Sequence, residues 1–384
     1  MKYKIGVSLL LLSLFTGIIQ ASEKLSSDTT IMNYSAFKRS VAINGLMQTR
    51  YVYSLTDNVN INGVHFDDDN TSISHNTNSF LMRRVRVNTR ATINDHFDAA
   101  VLINLAEFSG NTTNRVLENA FIRYHKSKSF NIMAGQFRPF FGPEDMLPAD
   151  IIKSLDYSNQ YNLFSNSGWQ SFQIGVAVYG DLNTDGKLPF HYYAGAYNGN
   201  NRNQPLDNDD RKNYYGRLEA DLAKNVRIGI NAAQGSWTDQ KGHAWGGDIS
   251  AIMPLAKCFK FELISEYKEG TNFAEFAAAP AAEKRAVGDY YNRGFYVFPN
   301  FRYECNMPRL RSIEFSSRYE YLQENYKVND NLRQTVTPMV SFEFADDYYA
   351  RIEVGCMIDM FKHDIANTAQ YSHNTGVVQL QVRF

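Results

Sequence analysis

Three cysteines in 384 residues are too few for a disulfide framework. Neither sign of charge dominates, with 39 Lys and Arg against 40 Asp and Glu. A chain so balanced lacks the basic surplus of a nucleic-acid binder, and no nucleic-acid partner is expected. Long apolar runs are also scarce. A bundle of membrane helices needs repeated stretches of about 20 apolar residues, and only the segment 5–19 comes near that length. Aromatic residues are abundant instead: 26 Phe, 24 Tyr and 3 Trp make up 14% of a chain whose mean hydropathy is −0.40. Their spread along the whole length excludes disorder. What remains is a large, polar, aromatic-rich β protein.

The single apolar run reads as an export signal. Lys2 and Lys4 precede it, and Gln20, Ala21 and Ser22 follow. A basic start, a short apolar stretch and a small residue at its end match a secretory signal over residues 1–21, cleaved after Ala21. Residues 22–40 form a polar lead, expected to be periplasmic, and residues 41–384 form one domain.

Within that domain apolar and polar residues alternate at period two. Val41, Ile43, Met47, Tyr51 and Tyr53 share one parity, and Asn44, Gln48 and Arg50 the other. Val85, Val87, Thr89, Ala91 and Ile93 alternate in the same way with Arg84, Arg86, Asn88, Arg90 and Thr92. The pattern puts one face of each strand in an apolar medium and the other in water. Soluble sandwiches alternate too, so connection lengths must discriminate. Short turns near 94–96, 127–129, 182–187, 223–225, 254–257, 305–310 and 345–347 alternate with long polar connections. The long ones are 54–79, 109–115, 139–170, 198–213, 236–243, 268–293, 324–332 and 361–374. These connections predict sixteen strands in an all-β, antiparallel transmembrane barrel, with short periplasmic turns and long extracellular loops. Fourteen or eighteen strands remain compatible with the boundaries. Phe97, Phe130, Phe190, Phe259, Phe344 and Phe384 carry the apolar parity beside short turns, where one aromatic girdle belongs. Tyr51, Tyr53, Tyr267, Tyr319 and Tyr321 fall toward the long loops and supply the other. Spanning strands need only about 9–11 residues, which reconciles a negative mean hydropathy with a membrane.

Six segments resemble the phosphate-selective porin O and P family: 83–87 (RRVRV), 134–144 (AGQFRPFFGPE), 194–199 (AGAYNG), 215–218 (YGRL), 265–270 (SEYKEG) and 314–319 (EFSSRY). The resemblance runs from about Gly45 to Phe384. It implies a sixteen-stranded homotrimeric channel in the Gram-negative outer membrane. It also implies passive uptake of small anions past arginines and a constricting third loop.

The residues lead to a channel on their own terms. A barrel of sixteen strands is too wide for side chains to fill, so the polar parity should line water and its charges should set selectivity. Arg50, Arg84, Arg86, Arg90, Arg351 and Arg383 come from the first two and last two strands, which become neighbours on closure, and so predict one basic wall. Guanidinium stays charged and pairs well with phosphate or carboxylate oxygens. Pairing of these arginines with lumen acids as a scaffold is an equal reading. The connection 139–170 is the expected constriction, folded into the lumen. Of its charges, Glu144, Asp145, Asp150 and Asp156 outnumber Lys153, with Arg138 just outside, and no lysine cluster appears. That departs from the family pattern and leaves open a general pore that orients dipolar solutes. A different class of function, surface binding or attachment through the long outer loops, would need no conductance.

Other chemistry is thinly represented. Asp181, Asn183, Asp185 and Gly186 open like a calcium loop, but its twelfth position is Tyr192, which cannot supply the bidentate carboxylate. No H-x-x-x-H, C-x-x-C, G-x-S-x-G or phosphate-cradling glycine loop is found, so no enzyme, metal or cofactor is assigned. Cys258 and Cys305 lie near the same end of adjacent strands, where an exported chain can oxidise them. Their parities differ unless Pro299 marks a bulge. The expected partners are small hydrophilic or anionic solutes, outer-membrane lipids, two further copies, and the outer-membrane assembly machinery through Phe384.

Overall fold

A computed structural model describes residues 39–109, 116–169, 172–186, 188–204, 206–207 and 210–384. The export signal 1–21 and nearly all of the lead 22–40 lie outside the described residues. Sixteen strands follow in sequence. The first eight are β1 Ser40–Ser54, β2 Asn78–Thr92, β3 Phe97–Asn104, β4 Leu117–Ser127, β5 Phe130–Phe137, β6 Gln173–Leu182, β7 Phe190–Tyr197 and β8 Asn213–Ala223. The second eight are β9 Val226–Trp237, β10 Gln240–Ala256, β11 Phe259–Thr271, β12 Tyr291–Met307, β13 Leu310–Gln323, β14 Arg333–Ala345, β15 Ala350–Phe361 and β16 His373–Arg383. Each pairs antiparallel with its sequence neighbours, and β1 pairs with β16 to close the barrel. Closure leaves no unpaired sheet edge, which a hydrocarbon environment requires. Among the described residues no helix is long and apolar enough to cross a membrane.

The alternation read from sequence is the facing of these strands. On β1, Val41, Ile43, Met47 and Tyr53 are exposed outward while Leu46, Gln48, Arg50 and Val52 are buried inward. On β16, Val378, Leu380 and Val382 point out and Val377, Gln379 and Gln381 point in. The terminal Phe384 closes the ladder with Gly45: its amide donates to the Gly45 carbonyl at 3.1 Å, and the Gly45 amide donates back at 2.6 Å. Its ring covers the place where a Gly45 side chain would stand, 2.0 Å from an added Cβ.

One connection differs from its expected length. The stretch 236–243 is a two-residue turn at Thr238 and Asp239, with Trp237 paired to Gln240. Its polar residues read as loop because a strand end standing in water has no apolar face to display. The cysteine expectation is also corrected. Pro299 sits opposite Leu263 with no shift in register, so no bulge realigns β12 with β11. The Glu304 amide donates to the Cys258 carbonyl at 2.8 Å, which puts Cys305 one residue further on, with the opposite facing. Both thiols are free.

Candidate functional site

The connection between β5 and β6 folds into the barrel and fills much of it. It contains two short helices, α1 Pro143–Met146 and α2 Asn159–Asn166. Gly142 enters α1 with φ 148°, a conformation that residues with a Cβ rarely adopt, and an added Cβ would also crowd the Glu266 carboxylate at 2.0 Å and the Lys268 ammonium at 2.7 Å. Ser158 caps α2, its Oγ accepting from the Tyr161 amide at 3.0 Å. The same hydroxyl donates to buried Glu144 Oε2 at 2.5 Å, tying the two helices together. Burial raises the Glu144 carboxyl above its usual 4.5, against the pull of Arg318 and Ser158.

Four charges of this loop, Asp145, Asp150, Lys153 and Asp156, have partners on the wall. Asp156 accepts from Arg83 Nε at 2.7 Å, Arg84 at 2.6 Å and Arg50 at 3.3 Å. Burial alone would raise its carboxyl, but Arg84, Arg83 and Arg50 together hold it well below the usual 3.8. Asp150 pairs with Arg383 at 2.9 Å, Asp145 with Lys268 at 3.2 Å, and Lys153 with Glu262. Backbone carbonyls are used as well: Arg351 donates to Ile152 O at 2.5 Å and Arg50 to Leu155 O at 2.9 Å. On the opposite flank Arg318 donates to Asp156 O at 2.6 Å, and Glu320 accepts from the Asn159 amide at 2.6 Å. Such closely spaced charge pairs need a polar wall, which the inward parity supplies.

The remaining contact is aromatic. Phe141, Phe164 and Trp169 of the loop pack with inward-facing Phe137, Tyr197 and Tyr215 and with Phe273, all buried. The inward parity therefore carries aromatics on β4 to β8, where the sequence led us to expect polar residues. The loop gives those rings a dry partner, so water does not define that part of the inner face.

Two chambers remain along the strands from β1 to β7. One, about 730 Å³, lies toward the long loops and is lined by Arg83, Arg84, Arg86, Glu118, Tyr157, Arg202 and neighbours. The other, about 450 Å³, lies toward the short turns, with Arg86, Asn88, Arg90, Glu118, Phe121, Arg138 and Phe140 among its lining residues. Arg86, Glu118 and Phe172 line both. A third chamber of about 840 Å³, between the loop and β8 to β13, shares no lining residue with these two.

Residues 56–244 match the model of the family described as phosphate-selective porin O and P. The barrel is an outer-membrane porin. Its fold is that of solved porins at low identity. OmpF of Salmonella typhi, in complex with daunomycin, aligns with TM-score 0.60 and 9% identity over 90% of this chain and 97% of that one. An anion-selective porin from Comamonas acidovorans aligns with TM-score 0.54 and 11% identity over 90% and 99%. The trimer form of in-vitro folded OmpT from Vibrio cholerae gives 0.54 and 11% over 91% and 100%. No curated protein sequence matches.

The porin places the sequence-named residues unevenly. Arg50, Arg84 and Arg351, with side chains 7%, 4% and 1% exposed, lie under the loop as anchors. Arg86 pairs with Glu118 at 2.9 Å. Arg90 lines the short-turn chamber and makes no ion pair among the described residues. Arg138 donates to Glu144 O, Leu147 O and the Tyr157 and Tyr161 hydroxyls at 3.0–3.2 Å, with no carboxylate in ion-pair range among the described residues. The sequence reading missed Arg83. The ladder pairs Gln48 with Arg84 and then Thr49 with Met82, leaving Arg83 as the extra residue of a bulge that turns it to the lumen. Its signal was the consecutive pair Arg83-Arg84, which a regular strand would send to opposite faces. Lys268, Arg318 and Glu118 were missed because their partners lie far away in sequence.

Proposed function

We propose that this porin admits small hydrophilic anions by passive diffusion through the two linked chambers, past the ring of Arg86, Glu118 and Phe172. The observation that carries this is the charge left after pairing. Asp156 offsets only one of the three charges of Arg50, Arg83 and Arg84, while Arg86 pairs with Glu118 and Arg202 with Glu107, and Asp145 and Asp150 are held by Lys268 and Arg383. Arg90 and Arg138, which pair with no carboxylate among the described residues, add further fixed positive charges along the path. In a narrow, low-dielectric passage such charges raise the local anion concentration.

The work is diffusion rather than catalysis, and the unit is a homotrimer, the assembly named for the OmpT neighbour. Outer-membrane lipids cover the apolar outer face, and the exposed Phe384 ring at the barrel end is the group offered to the assembly machinery. Conductance and reversal potential of purified trimers in planar bilayers, under a potassium chloride gradient, test the reading. Anion selectivity that falls on Arg90→Gln supports it. Cation selectivity in the native protein refutes it, and absence of conductance would return the working surface to the loops 55–77 and 272–290.

A further inference from the structure

Phosphate is held best by several donors converging on one point, and the short-turn chamber offers no such point. Its two unpaired guanidinia belong to different walls, Arg90 on β2 and Arg138 at the root of the loop. What surrounds them is aromatic. Phe121 and Phe137 lie 6.1 Å apart by ring centroid, Phe137 and Phe140 6.1 Å, and Phe140 and Tyr193 4.8 Å. Phe172 stands over the Arg138 guanidinium at 5.5 Å, with Tyr157 at 5.4 Å and Tyr161 at 5.9 Å. Phe137 is fully packed against the loop, but Phe121, Phe140, Phe172 and Tyr193 are only half-buried and turn ring surface toward the chamber.

We infer that this chamber selects ring-bearing organic anions, a carboxylate or sulfonate on an apolar ring, over hydrated inorganic anions of similar charge. The inference rests on the channel reading above and adds its substrate class. The anionic head takes the fork of Arg90 or the edge of Arg138, as guanidinium pairs with planar or tetrahedral oxyanions. The ring slides over Phe140 and Tyr193, where offset stacking rewards an aromatic face and offers nothing to a hydrated ion. At about 450 Å³ the chamber has room for a single-ring acid, since sites for such ligands begin near 300 Å³. The acids that line it, Glu118, Asp145 and Asp150, are occupied by Arg86, Lys268 and Arg383 and do not oppose the head group.

The test measures bi-ionic reversal potentials on the native trimer, with chloride on one side and benzenesulfonate, methanesulfonate or phosphate on the other. Both sulfonates stay charged at neutral pH, so leakage of a neutral acid through lipid does not enter. The expected order is benzenesulfonate above methanesulfonate, against their sizes, and both above phosphate. Phe140→Leu and Tyr193→Leu each lower the benzenesulfonate-to-methanesulfonate ratio about three-fold, in line with the loss of one aromatic contact. Ile122→Ala, on the outer face beside Phe121, leaves the ratio unchanged. Permeability that simply falls with ion size in the native protein overturns the inference, whether or not the leucine variants fold. Cation selectivity in chloride alone overturns the channel reading instead.

Discussion

Asp156 gathers three guanidinia, from Arg50, Arg83 and Arg84, onto two carboxylate oxygens. Removing one partner from a buried charge group costs about 3–5 kcal/mol, because the charges left behind stay desolvated. Asp156→Asn should therefore loosen the loop and release three arginines to the lumen, seen as noisier single-channel current and stronger anion selectivity. Acid should do the same only at low pH. The docked carboxyl sits well below 3.8, so its contribution is complete above about that value and is lost as pH falls further. Glu144 acts in the opposite sense. Its raised value makes its contribution full below 4.5 and fading as pH climbs through the docked value. Current noise measured from pH 7 down to pH 3 should stay low until the last unit. Lys268, fully buried between Asp145 and Glu266, gives a second case. Lys268→Met removes the buried cation shared by Asp145 and Glu266 and should lower the heat-unfolding temperature of the barrel, with a cost in the same range.

Among the elements, β2 and β12 show what alternation alone conceals. The bulge at Arg83 re-aims one side chain and shifts the strand beyond it by one residue. Deleting Arg83 should restore a regular ladder and a folded barrel, while removing the bidentate contact to Asp156 at 2.7 and 2.9 Å. Channel noise would rise with no change in far-ultraviolet circular dichroism. On β12 the register is undisturbed through Pro299, so Glu304 and not Cys305 faces Cys258. Glu304→Cys should form a disulfide with Cys258 on mild oxidation, detected by a mobility change on non-reducing gels, whereas the native protein should titrate three thiols after denaturation. The turn at Thr238 and Asp239 belongs to the same lesson. Strand ends beyond the apolar band lose their period-two pattern, so a tight hairpin looked like a long loop in the sequence.

For the molecule as a whole, strand number, closure and outward facing were legible, because lipid imposes a strict alternation that water-facing loops interrupt. The site was legible only in part. Arg90 and Arg138 were both named from the sequence, as was the inward loop, since proline, glycine and acidic residues mark 139–170 as a long segment with its own charges. The inner aromatics were not, because Phe137, Tyr197 and Tyr215 gain their dry surroundings from Phe141, Phe164 and Trp169, residues that no local pattern connects to them. The near-neutral net charge also hid the pairing. Loop acids offset only some of the wall arginines, a single Asp156 against Arg50, Arg83 and Arg84, so the path is positive where the sum over the chain is near zero.

The segment 150–156 touches β1 through Arg50, β15 through Arg351, and β16 through Gln381 and Arg383. It therefore lies across the seam where the first strand meets the last. The β15 and β16 partners come together with β1 only when the final strand has been added, so the segment can be held by β1 and β2 through Asp156 earlier but is fully latched only at closure. A chain halted before closure would hold this loop by fewer contacts, more open to a protease than in the finished barrel. Latching thus marks the moment at which assembly is complete.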